Sequence, residues 1–270
     1  PQYQITYVTS ESQAGQSVLA AFPGLGAGAA DLRFSAYDRE AALGTADAFF
    51  FALPDGEAMR AAGDLLAAGR KVVDVSGDFR VRDAGNYQQW YGREHADPQL
   101  LAEAAYGLPE LGEEARSRLR QARLVANPGC YPTAILIGVA PLFAAGLSDP
   151  DSLVADAKSG VSGAGGRSSL DPSFSYAAIH DNFRAYGVTG HRHIAEMEQE
   201  LGGLCGAPVT MGFTPHLLPL MRGILATCYL RLRSDETTQS LTARYQSFYR
   251  EAPFVRVLDE GLPELRHVAG

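Results

Sequence analysis

Three consecutive stretches constrain the fold of this chain more than anything else in it. ADAFFFALP (46–54) is a short run that is apolar on both faces, as a strand buried in a parallel sheet is. EAMRAAGDLLAAG (57–69) then carries apolar residues at helical spacing and ends on glycine, the residue that most often closes a helix. KVVDVSGDF (71–79) is a second apolar run leading into a polar loop. Strand, helix and strand in this order form a crossover unit, in which the two strands run the same way and the helix covers the sheet. Ligands of such sheets bind beyond the strand C-termini. With YQITYVT (3–9) as an earlier strand of the same sheet, the loops after Thr9, Leu53 and Val75 are expected along one edge.

The second half has a different texture. DSLVADAKSGVSGAGGRSS (151–169) reads as a strand entering a glycine- and serine-rich loop, and PVTMGFTPHLLPLMRGILATCYLRL (208–232) as two long strands around a proline-interrupted turn. TTQSLTARYQSFYRE (237–251) is an amphipathic helix that stops before Pro253. The fold class expected is an α/β Rossmann-type parallel-sheet domain plus an α+β domain with a mostly antiparallel sheet. The domains are expected at 1–129 and 130–270, divided near residues 128–131. With 270 residues and 46% hydrophobic content, the chain can bury two cores. Its formal net charge of −8 argues against nucleic-acid or anionic-membrane binding, and no apolar run is long enough to span a bilayer. A cytoplasmic protein is the expectation. Three widely spaced cysteines give neither a disulfide framework nor a zinc site.

The chemistry turns on LVANPGCYPTA (124–134). A single cysteine ordinarily packs as a small hydrophobe. Here an apolar run stops at an Asn-Pro-Gly turn and a helical stretch (133–145) follows, so Cys130 lies where a strand hands over to a helix. Unpaired N–H groups and the helix dipole at that point lower a thiol pKa and can hold an oxyanion. A cysteine nucleophile needs a base, and YGVTGHRHIAEMEQEL (186–201) offers His191 and His193. Two residues apart, their imidazoles are expected to diverge in a strand or a helix, so that one serves Cys130 while the other meets substrate, packs, or caps the helix beginning near Ile194. No third ligand accompanies them, and no metal is expected. Arg80, just past the 71–79 strand, falls on the ligand edge with a guanidinium suited to a carboxylate or phosphate. Arg167 and Arg192 rank behind it, and Arg82 reads as surface charge. GLGAGAA (24–30) has part of a dinucleotide glycine pattern but no strand before it, and reads as a loop. The phosphate-binding turn is therefore expected to precede Pro1, and further elements to follow LPELRHVAG (262–270).

In order along nearly the whole chain, SGDFRVRD, WYGREH, YGLPEL, ANPGCYPT, AKSGVSGAGGR, YGVTGHRH, FTPHLLPLMRGIL and FYREAPFVRVL resemble the N-acetyl-gamma-glutamyl-phosphate reductases of arginine biosynthesis. Reductases of N-acetyl-aminoadipyl phosphate in lysine biosynthesis share most of these blocks, and aspartate-semialdehyde dehydrogenases share the chemistry and the fold. The resemblance implies an NADP-binding Rossmann domain, with NAD as the alternative, and an α+β domain with catalytic and homo-oligomer contacts, in a dimer or tetramer. It implies that Cys130 attacks a small-molecule acyl phosphate, expels phosphate and forms a thioester, with His191 as acid/base at the hemithioacetal oxygen. Arg80, Asn127, Tyr186 and His193 would bind substrate. Thr9 and Ser10 would approach the adenosine 2′-phosphate, Leu53 and Pro54 would line the dinucleotide groove, and Ser159, Gly160, Ser162 and Gly163 would flank the nicotinamide. Two departures stand out: Glu11 where an arginine would suit the 2′-phosphate, and Asp55 where the family pattern has histidine. Two other classes remain in view: a silent binding protein on the same fold, and a Cys-His hydrolase that needs no dinucleotide.

Overall fold

The computed structural model describes residues 4–164 and 171–268. The strands are β1 (Val8–Thr9), β2 (Phe34–Ser35), β3 (Ala48–Phe51), β4 (Lys71–Asp74), β5 (Ala105–Tyr106), β6 (Leu124–Ala126), β7 (Leu153–Gly160), β8 (Arg184–Ala185), β9 (Met211–Leu218) and β10 (Ile224–Tyr229). The helices are α1 (Val18–Ala21), α2 (Arg39–Thr45), α3 (Ala58–Ala67), α4 (Ala84–Tyr91), α5 (Pro98–Glu103), α6 (Glu113–Gln121), α7 (Cys130–Ala144), α8 (Tyr176–Ile179), α9 (His193–Cys205) and α10 (Thr238–Phe248).

The crossover read from residues 46–79 is present. β3 and β4 pair in parallel from Ala48 with Lys71 to Phe51 with Asp74. Between them α3 buries Ala58, Met59, Ala62, Leu65 and Leu66, the helical stripe of that segment, and Gly69 turns the chain at a left-handed φ of 76°. The sheet order is β3-β4-β6-β5, all parallel, so β6 enters between two earlier strands. The C-terminal ends of β3, β4 and β6 therefore lead into loops 52–56, 75–80 and 127–129 on one edge, and Leu53, Pro54, Arg80 and Cys130 follow from them.

The segment 3–9 departs from expectation. Of its described residues, 4–9, only Val8–Thr9 form a strand, and it pairs in parallel with β2 in a separate two-stranded ribbon. Side-chain hydrogen bonds hold the preceding residues instead of a ladder: Thr6 donates to the Thr45 carbonyl at 2.8 Å and Tyr7 to the Ala36 carbonyl at 3.3 Å. Thr9 and Ser10 thus start from this ribbon and not from the main sheet.

The second sheet is ordered β10-β7-β9-β8. β7 runs antiparallel to β10 and parallel to β9, and β8 runs antiparallel to β9, giving a mixed sheet with mostly antiparallel pairings. The two strands expected in 208–232 exist, yet they flank β7 and do not pair with each other. Their connection passes over the end of β7, where Gly160 N–H donates to the Gly223 carbonyl, Val161 N–H to Leu220 and Ser162 N–H to Met221. A Cβ at Gly160 would come within 2.7 Å of the Arg222 backbone nitrogen, so this crossing requires glycine. Helices α7 and α9 cover the sheet with Ile135, Leu136, Val139, Met197 and Leu201 against Ala155, Ala157 and Phe213. Tyr106, Leu108 and Leu111 join this core although they precede Cys130 in the chain.

Helix α7 starts at Cys130, three residues before the apolar pattern suggests. Pro132 looks like a break, but in a first turn its missing N–H costs nothing.

Candidate active site

Gly129 is the N-cap of α7, with φ −65° and ψ 156°, and Cys130 is the first helical residue. Facing it is the start of α9, capped by Arg192 and opened by His193. The two helix starts nearly touch. A Cβ at Gly129 would lie 2.6 Å from His193 Nε2 and 2.8 Å from Glu196 Oε1, so glycine is required by the approach and not by the backbone angles.

Cys130 opens into a cavity of about 120 Å³ that Tyr131, Ser159, Gly163, Tyr186, His191, Arg192 and His193 also line. That is below the several hundred Å³ of a site that encloses a whole small ligand, so it suits the reacting end of one. A larger open groove between α7 and α10 has Arg244 as its only ionisable lining residue and no cysteine or histidine.

The two histidines do not diverge. Both line the cavity, with ring centroids 4.5 Å apart, and each packs edge-on to Tyr131. Residues 191–193 are neither extended nor helical throughout: Arg192 turns the chain, and the His193 N–H folds back to donate to His191 Nδ1 at 3.2 Å.

Arg80 and Asn127 lie behind the thiol and are not among the cavity's lining residues. Arg80 donates from Nε to the Asn127 carbonyl at 2.8 Å and from Nη2 to the Val75 carbonyl at 2.9 Å. Its Nη1 stands 3.6 Å from Glu196 Oε1. The Asn127 side chain donates to the Pro128 carbonyl. Both residues therefore fix the strand-to-helix turn.

Glu196 is the residue sequence reasoning missed. Its carboxylate is fully buried and joins both halves of the site, accepting from Tyr106 Oη at 2.9 Å and from the Gly129 N–H at 3.0 Å, with His193 Nε2 at 3.8 Å. Burial pushes its pKa up, against the Arg80 charge and these two hydrogen bonds. The available signal was a glutamate one helical turn after His193.

The Cys130 pKa is also raised, which reverses the sequence expectation. Cys130 reaches solvent, but desolvation by the protein packed around the thiol outweighs the N–H groups of Cys130 and Tyr131 and the Arg80 charge. Tyr186 donates its hydroxyl proton to Tyr131 at 2.9 Å, and Tyr131 donates to the His216 carbonyl at 3.4 Å.

Residues 1–119 match the semialdehyde dehydrogenase NAD-binding domain, and residues 130–270 the semialdehyde dehydrogenase dimerisation domain. The N-acetyl-gamma-glutamyl-phosphate reductase of Laribacter hongkongensis is 48% identical over all of this chain and 76% of that protein. That of Nitrosospira multiformis is 47% identical with the same coverage. The chain belongs to the N-acetyl-gamma-glutamyl-phosphate reductase family. Members of this family are oxidoreductases of the semialdehyde dehydrogenase type. In fold, the chain is similar to aspartate semialdehyde dehydrogenase with NADP from Candida albicans, at a TM-score of 0.63, 15% identity and coverage of 93% of this chain and 70% of that one. Aspartate semialdehyde dehydrogenase II from Vibrio cholerae gives a TM-score of 0.61, 15% identity and coverage of 92% and 70%.

Of the residues expected at the dinucleotide from the sequence, Ser159 and Gly163 stand beside Cys130 in the cavity. Gly160 serves the strand crossing, and Ser162 is exposed. Leu53 and Pro54 are exposed on the ligand edge. Ser10 is tied to the ribbon through its N–H to Ser35, and the Glu11 carboxylate accepts the Tyr37 N–H at 3.0 Å. Asp55, the other departure, pairs with Arg192. Arg167 lies outside the described residues. Among the described residues no three His, Cys, Asp or Glu side chains group as metal ligands, and no helix is long and apolar enough to cross a membrane.

Proposed function

We propose that this chain reduces N-acetyl-glutamyl 5-phosphate to N-acetyl-glutamate 5-semialdehyde and phosphate, in the cytoplasm, as a step of arginine biosynthesis. The observation that carries the reading is a solvent-reaching cysteine at the first position of a helix, in one cavity with two histidines. Cys130 passes its proton to His191 and attacks the acyl carbon; the C–S bond forms, the C–O bond to phosphate breaks, and phosphate leaves. The N–H groups at the start of α7 face the oxygen that gains charge. NADPH held along Ser159, Ser162 and Gly163 would supply hydride to the thioester carbon. The His191 imidazolium gives that proton to the resulting oxygen and takes it back as the C–S bond breaks, releasing the semialdehyde and the Cys130 thiolate.

The residues present fit the reactive end of a dinucleotide. Gly163 presents no Cβ, and one built there would reach within 3.2 Å of Ser159 Oγ, which leaves a flat flank beside the thiol. Ser159, Ser162 and Gly163 would flank the nicotinamide, Leu53 and Pro54 the groove, and Thr9 and Ser10 the 2′-phosphate of NADP. Gly160 supports that flank through the strand crossing, while Arg80 and Asn127 hold the thiol's turn. His193 and Tyr186 shape the cavity around the acyl group. The working unit is a homo-oligomer, a dimer or tetramer formed through residues 130–270, with residues 1–129 as the dinucleotide domain.

A phosphate-dependent dehydrogenase assay in the reverse direction tests the reading. N-acetyl-glutamate semialdehyde with NADP should be the best pairing, and Cys130→Ser should abolish turnover with the fold intact. Preference for the aminoadipate homologue or for NAD would correct the substrate or the cofactor; turnover by Cys130→Ser near the parent level would refute the mechanism.

A further inference from the structure

Within the lining of the Cys130 cavity, Arg192 is the one permanently charged side chain among the described residues. Its guanidinium reaches across to the other half of the molecule, where Nη1 donates to Asp55 Oδ2 in the loop after β3. It also lies over the Tyr91 ring, 5.2 Å from the centroid, and Tyr91 stacks on Tyr87 at 4.6 Å. Asp55 is fixed from behind by the Gly77 N–H at 3.2 Å. The pair is half-buried, so it is neither locked in the core nor loose in solvent. By contrast, Arg80, the arginine the sequence favours for an anion, already has a partner at each of its three nitrogens.

We propose that Arg192 binds the phosphate group of the acyl-phosphate substrate, and that Asp55 holds the guanidinium in place until the phosphate displaces it. The inference rests on the reductase reading above. Two anionic groups on such a substrate could take the arginine, the phosphate and the α-carboxylate. Arg192 adjoins His191, the acid/base at the acyl carbon, and the phosphate is joined to that carbon through one oxygen. The carboxylate is separated from it by the length of the glutamyl side chain. An aspartate competing for the same guanidinium lowers apparent phosphate affinity, and it returns the arginine to one geometry once phosphate has left.

The test is steady-state kinetics in the reverse direction, where inorganic phosphate and semialdehyde have separate KM values. Arg192→Gln should raise KM for phosphate about tenfold or more, the loss of one charge-assisted interaction, and leave KM for semialdehyde within about twofold. Arg192→Lys should recover part of the phosphate affinity and guards against misfolding of the Gln variant. Asp55→Asn should lower KM for phosphate about two- to fivefold, the span of a partly exposed ion pair. A merely structural pair would raise both KM values or depress kcat in Asp55→Asn. If Arg192→Gln shifts the semialdehyde KM instead, the arginine binds the carboxylate and the proposal fails. If the parent enzyme shows no phosphate-dependent turnover at all, the reductase reading itself fails, which is a separate result.

Discussion

Replacing Gly129 by alanine adds a single methyl group at the point where the two helix starts meet. The backbone at Gly129, at φ −65° and ψ 156°, suits alanine, so conformational strain is excluded and the effect is steric. The added carbon would sit 2.6 Å and 2.8 Å from His193 Nε2 and Cε1 and 2.8 Å from Glu196 Oε1. Contact between such atoms needs about 3.5 Å, so α9 or the turn must retreat by nearly 1 Å. Overpacking of this kind costs roughly 1–3 kcal/mol. At about 2–4 °C per kcal/mol in a domain of this size, the melting midpoint should fall by roughly 2–12 °C. The loss of rate should be larger in proportion, because a shift of about 1 Å at reacting groups can cost a factor of about 100, and Cys130 is the next residue. Gly138→Ala is the matched control on the same helix: a Cβ there meets nothing within 4 Å. It should raise stability by about 0.5–1 kcal/mol and leave turnover alone. Calorimetry and the reverse-direction assay on both variants decide the matter. Gly129→Ala with parent stability and parent turnover would refute the argument that this approach positions the thiol.

Glu196→Gln should destabilise the protein by about 3 kcal/mol in urea unfolding, since it strips the buried Arg80 of its counter-charge; a loss under about 1 kcal/mol would show that the two backbone carbonyls suffice. Asp74 is fully buried, and desolvation raises its carboxyl to about 6 despite hydrogen bonds from Ser76. Its folded value lies above its unfolded one, so its contribution is complete below about pH 4 and is lost as pH rises through about 6. Relative to the parent, Asp74→Asn should therefore gain up to about 3 kcal/mol across that window, and a pH-independent difference between the two would refute the assignment. Alkylation of ligand-free Cys130 by iodoacetamide should keep accelerating past pH 9, following the raised thiol, whereas a plateau below pH 8 would mean that the helix N-terminus prevails.

The crossover at residues 46–79 was legible because its apolar periods are local: two-sided in the strands, helical in α3. The placement of Cys130 was legible for the same reason, as Asn127-Pro128-Gly129 ends a strand within the window that shows the helix. Contacts distant in sequence were not. Arg80 looked like a free clamp until the carbonyl of Asn127 took its Nε, and Glu196 looked like one more helical acid although it accepts from Tyr106 and Gly129. His191 and His193 were set in opposite directions by reasoning from regular strand and helix, and Arg192 adopts the turn between the two. Asp55 was visible as a departure, but its meaning lies in an arginine from the other half of the chain.

The order β10-β7-β9-β8 has a bearing on how the protein is made. Leu153 of β7 waits for Met211, and Ser159 waits for Ile224, before either side of that strand is paired. During synthesis the helix carrying Cys130 emerges early, while α9, which closes the cavity around the thiol, and the strands it packs on arrive much later. Until then β7 presents two open edges and the thiol has no partners, a state prone to pairing with other chains. Folding of the second half should thus be slow and late, with turnover at Cys130 appearing only after the chain has passed β10.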